Sequence, residues 1–245
     1  MGLEIALIIV GVLIAIVAMV SGATGLWLAI KYFRFNRRGN SLGLTGVEIA
    51  RKILDDNGLE HIKVKRTGSI LFGNSYSHYF KKVRLRRFIR HEASLTSIGI
   101  GAQKAALAIL DKEGDPDMKK RIRLVPLITI GPFAFIPLVA VGVILDMFVF
   151  NGSGWCTIAL GAVGLLFYAY SIVLSVMTLK TEKKAQSRAY DILENDYHIT
   201  PEELSALKEL FRLYNIQYIN DIILSSLELI YTALEIAIAI KRNTD

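Results

Sequence analysis

Four histidines and one cysteine limit the side-chain chemistry open to this chain of 245 residues. His91-Glu92-Ala93-Ser94-Leu95 begins as an HExxH zinc motif begins but ends on Leu95. The second imidazole, which must stand four residues on to share a helix face with the first, is missing. The other histidines are His61, His198 and His78, the last in the run Ser77-His78-Tyr79. The single Cys156 excludes an intrachain disulfide and a cysteine-based structural zinc site. The nucleophile elbow GxSxG, the phosphate loop GxxxxGK[ST] and the dinucleotide fingerprint GxGxxG do not occur. Gly99-Ile-Gly101 lacks the third glycine of that fingerprint, and close packing of a helix accounts for it.

Two charged patterns remain. Lys81, Lys82, Arg84, Arg86, Arg87 and Arg90 form a basic run flanked only by Phe80 and Phe88. So few aromatics do not make a stacking platform for nucleic acid. Attraction to anionic lipid headgroups is one account of the run; a solvated strand edge guarded by charge is the other. In the C-terminal apolar segment, Asp221, Ser225, Glu228, Thr232 and Glu235 recur in steps of four and three, a narrow polar stripe along one helix face. Ionised Glu228 and Glu235 facing lipid near the bilayer centre would each cost on the order of 3 kcal/mol. They are expected to face protein, with Lys104 as one conceivable partner, or water at a solvated helix face.

The elements that carry these residues are those of a membrane protein. The chain is 53% hydrophobic and 21% charged, with a mean hydropathy of +0.42, too apolar for a soluble protein of this size. From Ile5 to Ile30 no side chain ionises; as a helix this run rises about 39 Å, enough to span a bilayer with tilt. The acidic start Met-Gly-Leu-Glu4 and the length of the run argue for a retained anchor over a cleaved signal peptide. Leu124 to Trp155, with Asp146 as its only charge, and Trp155 to Leu179, with none, read as two spans joined by the turn Asn151-Gly-Ser-Gly154. Pro126, Pro132 and Pro137 should kink or delay the first of these. Ile222 to Ile240 is a fourth candidate, as a span or as an interfacial helix.

Lys and Arg beside the spans set the expected orientation. Lys31, Arg34, Arg37 and Arg38 follow the first span, Lys119, Lys120, Arg121 and Arg123 precede the second, and Lys180, Lys183, Lys184 and Arg188 follow the third. The N-terminus is thus expected outside and residues 32–123 and 180–220 in the cytoplasm; Lys241 and Arg242 argue against a fourth span. In the first cytoplasmic stretch, Thr45-Gly-Val-Glu48 is a capping box that opens a helix ending at Asn57-Gly58. Ile62 to Arg66 and Lys82 to Arg86 alternate as a short hairpin or meander, punctuated by Gly68 and Gly73, and a second helix runs from about Ser94 to Leu110. In the second stretch, helices are expected from Glu182 to about Asn195 and from the cap Thr200-Pro-Glu-Glu203. The fold class is a mainly α membrane protein: three to four transmembrane helices, a small cytoplasmic α+β unit and a cytoplasmic helical hairpin. Its expected segments are 1–31 (anchor), 32–123 (α+β unit), 124–179 (transmembrane hairpin), 180–220 (cytoplasmic helices) and 221–245 (hydrophobic helix and tail).

The order of these pieces carries a resemblance. GLTGVEIARKILDDNGL from Gly43, SHY from Ser77, KVRL from Lys82, SLTSIGIGAQKAALAI from Ser94, TLKTEKKAQSRAYDIL from Thr178 and TPEEL from Thr200 resemble the bacterial membrane-bound neutral zinc metallopeptidase family over nearly the whole chain. The resemblance implies an N-terminal span, a small α+β unit, a catalytic helix with HEAGH, a hydrophobic hairpin and a zinc ion. Alignment without gaps puts Gln103 and Leu107 where that family has its two histidines and Lys104 where it has the glutamate that polarises water. Glu182 matches the acid of the family's PVEF segment, its third ligand, although an acid at a helix start is also favoured by the helix dipole. One carboxylate does not hold zinc, so the expectation is a chain without a catalytic residue, a metal ligand or a cofactor. It would be a pseudoenzyme acting as a membrane scaffold or binding peptides or membrane-protein partners, at anionic lipid and without nucleic acid. The alternative is an active metallopeptidase with a rearranged site.

Overall fold

The structure is a computed structural model that describes residues 2–67, 73–128 and 131–244. Helix α1 covers Gly2–Asn36 and α2 Gly46–Asp56; strands β1 (Lys63–Arg66), β2 (Ser75–Ser77) and β3 (Lys82–Leu85) follow. Then come α3 (Arg87–His91), α4 (Leu95–Glu113), α5 (Pro116–Ile128), α6 (Gly131–Phe148), α7 (Trp155–Asp191) with a π turn Ile192–Asp196, and α8 (Pro201–Thr244). The chain forms two compact units, Met1–Ala23 with Arg123–Met177 and Tyr218–Asp245, and Thr24–Ile122 with Thr178–Gln217.

In the first unit large apolar side chains face outward: Met19, Ile136, Phe148 and Leu166 are each at least two-thirds exposed. Contiguous apolar surface of this kind suits a lipid environment. Among the described residues, two helices, Gly2–Asn36 and Trp155–Asp196, are long and apolar enough to cross a membrane, while Phe135–Phe148 is apolar but shorter. That is fewer than the three or four spans expected. Chain 124–155 is divided between α5 and α6, with Pro137 inside α6, so no single helix uses the whole apolar run. Asp146, the lone charge there, staples the α6–α7 turn: its carboxylate accepts from Ser153 Oγ (3.0 Å), Thr157 Oγ1 (2.7 Å) and the backbone N–H groups of Cys156 (3.1 Å) and Thr157 (2.8 Å). A buried carboxylate with four donors is satisfied, and its role is to close the turn. On α8 of this unit, Asp221 accepts from Ser21 (3.3 Å), Glu228 accepts from the Tyr168 hydroxyl (2.9 Å), and Glu235 is exposed.

The second unit is built round α4. Every residue from Leu95 to Leu110 is buried, which a helix reaches only when packed on all sides. Ser94 caps its start and Gly114, at φ +72°, ends it. Helix α2 opens with the expected capping box, Thr45 and Glu48 bonding each other's backbone N–H. It crosses α4 at glycine: a Cβ on Gly46 would collide with the Ile89 carbonyl, and one on Gly101 with the Gly46 carbonyl and Ile49. The three-stranded sheet has the order β1-β3-β2, with β1 parallel and β2 antiparallel to β3. The expected hairpin of the two alternating runs is thereby corrected. They pair in parallel, and the three-residue β2, too short to show a period, is the antiparallel neighbour. Gly68 lies outside the described residues. The helix bounds expected at Glu182 and near residue 220 are corrected: no cap interrupts the chain at either place, so both expected helices are continuous with the apolar segments as α7 and α8. Thr200 and Glu203 do form the expected box at the start of α8.

Candidate functional site

Glu182 gathers the residues that the sequence comparison singles out. It projects from the C-terminal third of α7, beyond the apolar stretch that ends at Leu179, toward the central helix α4 of the second unit. Its Oε2 accepts from Lys104 Nζ (2.8 Å) and Gln103 Nε2 (3.0 Å), both on α4, and its Oε1 from Arg121 Nη2 (3.0 Å) on α5. Gln103 and Lys104 are buried, Glu182 and Arg121 nearly so, and Leu107, one turn on from Gln103, is fully buried in the core. Burial alone would raise the Glu182 carboxyl. The Lys104 ammonium and the Arg121 guanidinium outweigh it and hold the group below its ordinary 4.5. The helix-start reading of Glu182 is corrected, since the residue lies far from the first turn of α7. Lys104 pairs with this acid.

Two further networks tie the same elements. Asp111, two turns along α4, accepts from the Tyr76 hydroxyl and lies against His78 Nδ1, both at 2.6 Å, with Lys81 Nζ at 3.9 Å. Burial and this carboxylate push the Tyr76 hydroxyl well up. At and just past the end of α4, Lys184 binds Asp115 (2.7 Å) and Asp117 (2.5 Å), Lys180 binds Asp117 (3.1 Å) and Arg188 binds Glu113 (3.0 Å). The Thr178–Leu193 segment thus zips onto α4 and α5 through opposite charges at helical spacing. Burial would raise Asp115, but Lys184 and the N–H groups of Met118 and Asp117 hold it low, and Lys184 and Lys180 do the same for Asp117. Arg121, Asp111, Asp115 and Asp117 were not legible as site residues. They stand in ordinary charged stretches, and nothing in their local spacing names a partner.

Each lowered carboxyl adds stability that is complete above its unfolded value and is lost as the pH falls through its folded value. Melting temperature is therefore expected to hold from neutral pH to about pH 5 and to drop below about pH 4, followed by thermal denaturation in detergent. A flat profile to about pH 3 would show that these pairs contribute nothing.

The basic run is not one patch. Lys82 and Arg84 lie on the outer face of β3, Lys81 turns toward Asp111, the Arg86 guanidinium lies over Gly73, and Nε of Arg90 is buried. His91 does not start a metal site; its neighbour Glu92 accepts from the Asn36 amide. Among the described residues no group of three His, Cys, Asp or Glu side chains is placed to share a metal ion.

Residues 8–237 match the family described as "Putative neutral zinc metallopeptidase". The chain belongs to this family. It is also similar to a protein of Bacillus subtilis (strain 168) named "Putative membrane protease YugP", at 23% identity over 197 residues, 80% of this chain and 83% of that protein. No solved structure matches. The name of that relative, together with the two apolar helices, supports association with a membrane. Membership in the family overturns the expectation of a chain without a cofactor, because the group this family implies is zinc. The four residues at Glu182 do not fit that ion. Zinc takes about three thiolate, imidazole or carboxylate donors, whereas here one carboxylate is already engaged by three donors, two of them cationic, and Leu107 has no lone pair. A zinc ion in this metallopeptidase relative would need donors other than these.

Proposed function

We propose that this member of the zinc metallopeptidase family is non-catalytic and serves at the membrane as a scaffold that binds peptides or membrane-protein partners. The reading rests on the Lys104–Glu182 ion pair. Where the family would hold the base that polarises water, this chain has a buried lysine whose amino group is engaged by a carboxylate. The same pair joins α4 to α7, so the element that would carry catalysis in a peptidase here holds the second unit together. The test is proteolysis by the full chain reconstituted in vesicles with zinc in excess, using unfolded soluble and membrane proteins as substrates. No cleavage above protein-free vesicles is expected. Zinc-dependent cleavage that disappears in the Glu182→Gln variant would overturn the reading and assign the chemistry to a rearranged site.

The proposal includes a topology: a multi-pass chain of three to four spans, N-terminus outside and residues 32–123 and 180–220 cytoplasmic, supported by the distribution of Lys and Arg beside the apolar runs. Reporter tags at residues 40 and 190 are expected to read cytoplasm and a tag at Ser153 the outside. A cytoplasmic Ser153 would invert it, and a tag after residue 245 decides the number of spans.

A further inference from the structure

The register of the small sheet sorts its charges onto one face. Val83 and Leu85 of β3 are fully buried, so Lys82 and Arg84 point away from the core. Lys63 pairs with Lys82 and Lys65 with Arg84 in the parallel ladder, while Ser77 and Ser75 pair with the same two residues on the other side. Paired residues share a face, which places the four cations together on the outer surface. Among the described residues none of these four cations forms an ion pair with a carboxylate. Burial and the neighbouring Arg84 and Lys65 hold the Lys82 ammonium below its ordinary range, the mark of like charges crowded together. At the edge of the face Phe80 is 67% exposed, its ring lying 4.5 Å from Lys82 Nζ and 5.7 Å from the Arg84 guanidinium, and Tyr79 beside it is 59% exposed.

We infer that this outer sheet face, Lys63, Lys65, Lys82 and Arg84 with Phe80 at its edge, docks on the anionic headgroups of the membrane that holds the chain's apolar helices. A flat group of uncompensated cations calls for a partner that presents many negative charges in a plane, and an anionic leaflet attracts each basic residue near it. Exposed aromatic rings beside such cations suit the headgroup level, where an apolar body and a polar surrounding coexist. Apolar helices in the same chain tether the sheet beside a bilayer, so even a weak surface contact forms at high effective concentration. A single-stranded nucleic acid would need a row of free ring faces for successive bases, whereas Lys82 and Arg84 lie against the Phe80 ring.

The test uses the full chain carrying Ser77→Cys on a Cys156→Ser background, labelled at residue 77 with an environment-sensitive fluorophore. It is reconstituted in vesicles of phosphatidylcholine alone or of equal parts phosphatidylcholine and phosphatidylglycerol. A blue shift is expected only with phosphatidylglycerol. Lys65→Gln or Lys82→Gln should each weaken the docked state about fivefold, and high salt should remove the shift. Identical emission in the two lipids would overturn the inference, as would a phosphatidylglycerol shift that both substitutions leave unchanged. A shift caused by added RNA or polyglutamate in pure phosphatidylcholine, with none from phosphatidylglycerol, would overturn it in favour of a soluble polyanion.

Discussion

Glu182→Gln is expected to destabilise the second unit by about 3 kcal/mol, because removing one member of a buried ion pair strands its partners. The wild-type carboxylate compensates two cations at once, Lys104 at 2.8 Å and Arg121 at 3.0 Å. With a neutral amide between them, the ammonium and the guanidinium repel each other where little water reaches. Lys104→Met should cost less, about 1 kcal/mol, since Arg121 and Gln103 still serve the carboxylate while the methionine fills the space of the lysine stem. The two changes combined should be less harmful than their sum, by about 1 kcal/mol or more. Chemical or thermal denaturation of the four proteins in one detergent measures this coupling. Additivity within about 0.5 kcal/mol would mean the pair does not hold α4 to α7.

Restoring the family motif should turn the same site into a metal-dependent element of the fold. The triple variant Gln103→His, Lys104→Glu, Leu107→His places two imidazoles on one face of α4 and a second acid near Glu182. Without metal it should melt well below the parent. A polar ring replaces the fully buried Leu107, and two carboxylates meet where one was neutralised. With zinc, the two imidazoles and Glu182 supply three ligands, and binding to the folded state alone recovers about 4 kcal/mol at a thousandfold excess over the dissociation constant. The measurement is the melting temperature of this variant with zinc and with chelator, beside a version that also carries Glu182→Gln. A zinc-dependent rise lost in the fourfold variant is expected. A rise of equal size in both would show that Glu182 does not lie within reach of the metal.

What the sequence determined by itself was local or periodic. The charge-free run from Ile5 needs only its own composition to be an apolar helix; Thr45 and Glu48 cap α2 through bonds three residues apart; Gly114 ends α4 because a left-handed residue costs glycine little. That no HExxH occurs in the chain was equally plain, since such a motif is read by residue type and spacing alone. Tertiary structure decided how distant pieces combine. Arg121 and Glu182 are 61 residues apart, and no local pattern says that one carboxylate will sit between that arginine and Lys104. The parallel pairing of β1 with β3 decides that Lys63 and Lys65 join Lys82 and Arg84, while Arg86 and Arg90, their near neighbours in sequence, point elsewhere. Helix periodicity could not foretell that Lys104 would be buried, because a helix packed on every side has no solvent face to reveal. Its charge is tolerated only because folding brings Glu182 to it.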